Sequence, residues 1–113
     1  MVLPAFLSAT ETAAIREFMA AARSTLGPEL RDARLFGSRA RGEGHEDSDI
    51  DIALIVSAGG RAKRYLLYDA AFDIGLSHGV ELSPLVIEVP RFQELEARER
   101  LIALDIAAQG IPL

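Results

Sequence analysis

No cysteine occurs among the 113 residues. Disulfides and thiol chemistry are thereby excluded, and the chain suits a reducing compartment such as the cytoplasm. Basic charge is also scarce: 12 Lys and Arg against 17 Asp and Glu leave a net charge of -5 and a pI near 5.0. A general nucleic-acid binder needs a broad basic surface to displace counterions, so duplex DNA or RNA is not an expected partner. The N-terminal stretch MVLPAFLSATETAA is too short to span a membrane. It also lacks the basic leader and long apolar run of a secretory signal. No repeat, low-complexity tract or linker is present. What remains is half hydrophobic and 26% charged, the composition and length of one soluble globular domain spanning residues 1–113.

Hydrophobic periodicity and turn residues divide that domain. Ser8-x-x-Glu11 has the form of a capping box, and Ile15, Phe18, Met19, Ala22 and Leu26 follow at helical spacing. Gly27-Pro28 stops the helix. A short strand over about Ala33 to Phe36 leads into Gly37, and a polar loop runs from Ser38 to Ser48. Ile50 to Val56 is nearly all apolar, as a strand covered on both faces should be. After a turn at Ala58-Gly59-Gly60, a helix runs from about Arg61 to Ser77 and is closed by Gly79. Leu66, Leu67, Ala70, Ala71 and Ile74 form its expected buried stripe.

A third strand covers about Val80 to Val89, with Pro84 implying a bulge or an edge position. Pro90 to Gln109 reads as one helix contributing Phe92, Leu95, Ile102 and Ile106 to the core. The order is helix, strand, strand, helix, strand, helix: an α+β fold with a small mixed sheet packed against helices.

One motif carries chemistry. Gly37-Ser38 is followed, after ten residues, by Asp49-Ile50-Asp51 at the start of the second strand. Side chains two apart on a strand share a face, so the two carboxylates stand roughly 6–7 Å apart at the backbone. Their mutual repulsion is relieved by a hard divalent cation. Mg²⁺ typically takes one or two protein carboxylates and completes its shell with water and phosphate oxygens. Asp-x-Asp alone is common in solvated loops. With Gly-Ser at that fixed distance, the combination arises by chance in roughly one chain in a thousand of this length.

A calcium loop is the rival reading, with Asp47, Asp49 and Asp51 at its first, third and fifth positions. Ile52 and Ala58 occupy the places where that loop needs Gly and Glu, and the calcium reading fails. The Gly37-Ser38 corner can act as an anion-binding nest, because glycine lets a phosphate approach the backbone. Arg39 and Arg41 would add guanidinium charge suited to phosphate oxygens. The Gly-Lys-Ser/Thr ending of a P-loop is absent. Elsewhere, His45 lies in the motif loop, where a solvated histidine is the ordinary case. His78 lies at a helix end where positive charge is favourable, and Tyr65 and Tyr68 read as helix packing or as contacts to a base or partner.

The stretch GSRARGEGHEDSDIDIALIV, set between two strands, resembles the signature of the polymerase-β-type nucleotidyltransferase superfamily. More narrowly, the chain is similar to the minimal nucleotidyltransferase group, with the nucleotidyltransferase fold. The resemblance implies that Gly37 and Ser38 bind nucleotide phosphates while Asp49 and Asp51 hold Mg²⁺, with two ions at work. It also implies a third carboxylate on a neighbouring strand. Glu81 is the candidate, where relatives more often carry Asp, and Glu88 is the fallback.

The implied activity is transfer of AMP from ATP to a hydroxyl. Minimal nucleotidyltransferases are similar to antitoxins paired with HEPN-type toxin proteins, which makes such a toxin the implied acceptor and partner in a bacterial or archaeal cytoplasm. Two alternatives stay open. One is a non-catalytic module that masks its partner. The other is transfer to a small molecule of the aminoglycoside kind, with oligomerisation supplying a missing pocket wall.

Overall fold

In the computed structural model, which describes residues 2–44 and 48–113, Ser8 caps helix α1 (Ala9–Leu26). Ser8 Oγ accepts from Glu11 N at 3.0 Å, and Glu11 Oε1 accepts from Ser8 N at 2.9 Å. Two helix-end donors are thus satisfied reciprocally. Ile15, Phe18, Met19, Ala22 and Leu26 are all buried along one face. Burying each large side chain among them contributes roughly 1.5–3 kcal/mol. Gly27, at φ 53°, ends the helix, and Pro28 sits in the 3₁₀ turn Gly27–Glu29 that follows.

Strand β1 (Leu30–Phe36) pairs antiparallel with β2 (Ile50–Val56), and β2 pairs parallel with β3 (Leu82–Glu88). The crossover that a parallel pair requires is a 3₁₀ turn (Gly60–Lys63) and helix α2 (Arg64–His78). Helices α3 (Val89–Ala97) and α4 (Leu101–Gln109) come next, and β4 (Ile111–Pro112) returns antiparallel to β1. The described residues form an α+β fold of four α-helices and a mixed sheet ordered β3-β2-β1-β4.

Central strand β2 divides two cores. Ile50, Ile52, Leu54 and Val56 meet α1 and α2, whereas Ala53 and Ile55 meet Ile87 of β3 and Ile106 of α4. Pro84 lies on β3, an edge strand, where a missing amide is tolerated. His78 Nε2 sits 2.6 Å from Glu17 Oε2 and ties α2 to α1. No helix among the described residues is long and apolar enough to cross a membrane.

Several expected elements are corrected. β1 starts at Leu30 rather than Ala33, because a register shift between Leu30 and Asp32 lets polar residues enter the ladder. Leu66 is 60% exposed. α2 packs instead through Leu67, Ala71, Ile74 and Gly75, where a Cβ at Gly75 would lie only 2.6 Å from Val80 O. The expected helix from Pro90 to Gln109 is two helices. Glu99 takes φ 53°, Glu99 N donates to Glu96 O, and Arg100 N donates to Leu95 O. Those two bonds make a Schellman closure. The break turns α4 so that Ala103 and Ile106 are buried while Ile102 is 43% exposed.

Candidate active site

Phe36, the last residue of β1, pairs with Asp51, so the following turn starts beside that carboxylate. Gly37 has φ 76°, and a Cβ there would overlap Asp51 Oδ2. Glycine alone supplies both the left-handed backbone and the close approach. The turn winds on through Ala40 N donating to Gly37 O (3.2 Å) and Glu43 N donating to Ser38 O (2.9 Å). A Cβ on Gly44 would lie 3.3 Å from Ser38 Oγ and 2.6 Å from Ser48 Oγ. The loop therefore folds back on the Ser38 hydroxyl. His45 and Asp47 lie outside the described residues.

Asp49, just before β2, is exposed, and Asp51 is half-buried. Burial pushes the Asp51 carboxyl up, and the like charges of Asp49 and Asp105 push the same way, against the pull of Arg41. These four groups share one electrostatic neighbourhood. Arg41 Nη1 stands 3.3 Å from Asp105 Oδ1, and its Nε stands 3.3 Å from Glu43 Oε2. Sequence reasoning misses Asp105. Its signal is that it is the sole charged residue in the apolar helix Leu101–Gln109.

Arg39 requires a correction. Its side chain is 5% exposed, with Nε and Nη2 donating to Glu11 at 2.9 and 2.6 Å and Nη1 to Glu43 O at 3.2 Å. The guanidinium also lies 5.9 Å from the Phe6 ring centroid. A buried carboxylate demands a paired cation, and Arg39 is committed to that demand rather than to a phosphate. Burial alone would raise the Glu11 carboxyl. The hydrogen bonds and charge of Arg39, with the bonds from Ser8, outweigh burial and hold it below its ordinary range.

The candidate third carboxylate, Glu81, leads into the neighbouring strand β3. Ile50 N donates to Glu81 O at 2.9 Å. Extending the β2–β3 register by one residue sets Glu81 opposite Asp49, as Ser83 is opposite Asp51. Glu81 is exposed and is one of the residues around a cavity of about 620 Å³ that Tyr68, Phe72, Leu76 and Ser83 also line. Among the described residues no three His, Cys, Asp or Glu side chains are grouped to hold a metal ion. The Asp49–Asp51–Glu81 triad is therefore not assembled in this arrangement.

Glu88 is at the wrong end of β3: it pairs with Val56, and its carboxylate accepts from Gly59 N. Asp49 and Asp51 still fit Mg²⁺, as two hard oxygen donors whose repulsion the cation relieves. Tyr65 is 63% exposed, edge-on to Tyr68 at 5.9 Å.

A glycine corner pressed against Asp51, with Asp49 and Arg41 in the same electrostatic neighbourhood, is an arrangement suited to an anion held beside a cation. The chain belongs to the nucleotidyltransferase domain family, whose model matches residues 15–105. Among solved structures, a minimal nucleotidyltransferase is 24% identical at a TM-score of 0.58, over 92% of this chain and 95% of its own. A mutant form of the toxin–antitoxin MntA–HepT is 21% identical at a TM-score of 0.55, over 88% and 70%. A toxin–antitoxin solved with AMP-PNP is 19% identical at a TM-score of 0.51, over 84% and 68%. At these identities the likeness establishes the shared fold. No curated protein matches the chain.

Proposed function

We propose that this nucleotidyltransferase-family protein moves AMP from ATP to a hydroxyl of a protein acceptor, as the antitoxin of a HEPN-type toxin pair in a bacterial or archaeal cytoplasm. The observation that carries the reading is the Gly37 backbone seated against the Asp51 carboxylate. That contact supports a reading in which the corner binds phosphate next to the acid pair. In the proposal the Gly37-Ser38 turn and Arg41 bind the triphosphate, and Asp49 and Asp51 hold Mg²⁺.

When bound, a pair of Mg²⁺ ions would offset charge on the attacking and leaving oxygens of an in-line displacement. The acceptor oxygen bonds to the α-phosphorus, the bond to pyrophosphate breaks, and the hydroxyl proton passes to a nearby carboxylate. In this reading Glu81, exposed and opposite Asp49 by extension of the strand register, takes that proton. Positioning and electrostatics supply most of the rate.

A protein partner is favoured by the surface of α2. Tyr65, Leu66, Phe72 and Leu76 are 63%, 60%, 66% and 69% exposed, and grouped exposed apolar side chains commonly mark interaction sites. The toxin–antitoxin neighbours lend the same reading support. The test is incubation with labelled ATP, Mg²⁺ and the toxin-like neighbour, repeated with Asp49→Asn plus Asp51→Asn. Label should appear on the partner and vanish with the double variant. Protection of the partner without label supports a masking module, and label on an added aminoglycoside supports small-molecule transfer.

A further inference from the structure

We infer that Asp105 is a positioning residue that aims Arg41 at the nucleotide phosphates, a role that rests on the nucleotide-transfer reading above. A free arginine side chain samples many rotamers, and a ligand that fixes one of them must offset the lost entropy. Arg41 is already held. Asp105 Oδ1 takes Nη1 at 3.3 Å and Glu43 Oε2 takes Nε at 3.3 Å, leaving Nη2 with no hydrogen-bond partner among the described residues. A guanidinium pinned at two nitrogens presents the third in a fixed direction, which suits a phosphate oxygen.

The two holding carboxylates are not equivalent. Glu43 belongs to Arg41's own turn, and its side chain is 63% exposed. Asp105 is 28% exposed and rides on α4 between Ala103 and Ile106, whose exposures are 0% and 1%. Ile106 packs with Ala53 and Ile55 of β2, the strand that carries Asp51. Asp105 thus references the arginine to the same rigid strand as the acid pair, which Glu43 cannot do.

Equilibrium binding of Mg²⁺–ATP by calorimetry, with kcat and KM where transfer is measured, tests this on the full chain. Asp105→Ala should weaken ATP binding roughly three- to tenfold, with kcat changed far less. Asp105→Asn, which keeps the shape, should show the same loss, and Asp105→Glu should recover most of it. In an Arg41→Ala background the Asp105→Ala effect should disappear. Unchanged ATP binding in both Asp105 variants, or an equal loss without Arg41, overturns the inference. So does a fall in kcat at constant ATP affinity, which would place Asp105 on the reacting atoms. If the wild-type chain binds no ATP, the nucleotide-transfer reading fails with it; if it binds and the variants match it, only the inference does.

Discussion

Arg39 and Arg41 leave the same turn two residues apart, and the inner and outer halves of that turn use them for opposite ends. The inner half faces α1, where Arg39 closes a bidentate pair with fully buried Glu11. On the outer half Arg41, 34% exposed, is strung between Glu43 and Asp105. The same chemistry serves as a rivet on one side and as an outward-facing, carboxylate-held donor on the other. Alternation along β2 repeats the division: Ile50, Ile52, Leu54 and Val56 join the deep core, while Asp51 opens on the other face ahead of Ala53 and Ile55. Scaffold and site are separated by one residue step rather than by distance.

The sharpest way to break the comparison is to remove each guanidinium. Arg39→Met strands the Glu11 carboxylate in the interior and should cost about 3–5 kcal/mol. Arg41→Met removes exposed ion pairs and should cost less than about 1 kcal/mol. Urea titrations near neutral pH measure both. Acid adds a second signature. Glu11 titrates below its ordinary value of 4.5 in the fold, so its pairing stabilises above that pH and is lost as pH falls through the depressed folded-state value. The wild type should lose that increment on acidification. Equal costs for the two variants would dissolve the distinction between the two halves of the turn.

Asp51→Asn probes the outer face with a smaller effect and the opposite sign. Its carboxyl is raised above the ordinary 3.8, so the neutral form favours the fold below 3.8 and that benefit is lost as pH rises through the folded value. At neutral pH the ionised aspartate therefore costs stability. Because the site is partly open to solvent, the cost stays under about 1 kcal/mol. The Asn variant should melt slightly higher than wild type at pH 7 and converge with it below 3.8. Added Mg²⁺ should raise the wild-type midpoint, as any ligand of the folded state does, and leave the variant unmoved. A variant less stable at pH 7 would return Asp51 to the scaffold.

What was legible in the sequence follows the same division. The bounds of β2 and the Ser8 capping box were readable because each rests on local chemistry, an apolar run and a serine-glutamate pair; the missing amide of Pro84 left a bulge or an edge position open, and the edge is what forms. The Gly37–Asp51 approach was readable because the spacing of glycine and acid across a hairpin sets it. The commitment of Arg39 was not, since its partner lies 28 residues away and nothing local separates it from Arg41. Glu81 falls opposite Asp49 when the strand register is extended, yet no group of three acidic side chains forms there among the described residues. Strand register fixes a Cα, not a rotamer. β4 is two residues long and carries no periodicity to detect. Asp105 stayed hidden because its position depends on a helix break that has no glycine to announce it.

That break supplies the smallest and most local of the expected effects. Glu99 holds a left-handed backbone at φ 53° in the place where a Schellman closure ordinarily has glycine. A side chain in that region costs roughly 1–2 kcal/mol, partly offset because glycine gives the unfolded chain more freedom. Glu99→Gly should therefore stabilise the protein by up to about 1 kcal/mol, read as a small rise in urea midpoint at constant m-value. Nucleotide affinity should stay where it was, since α4 keeps its direction and Asp105 its place beside Arg41. If stability rises while ATP binding falls, the strained residue at the break was steering α4, and the outer face of the sheet is more adjustable than its packing against Ile106 implies.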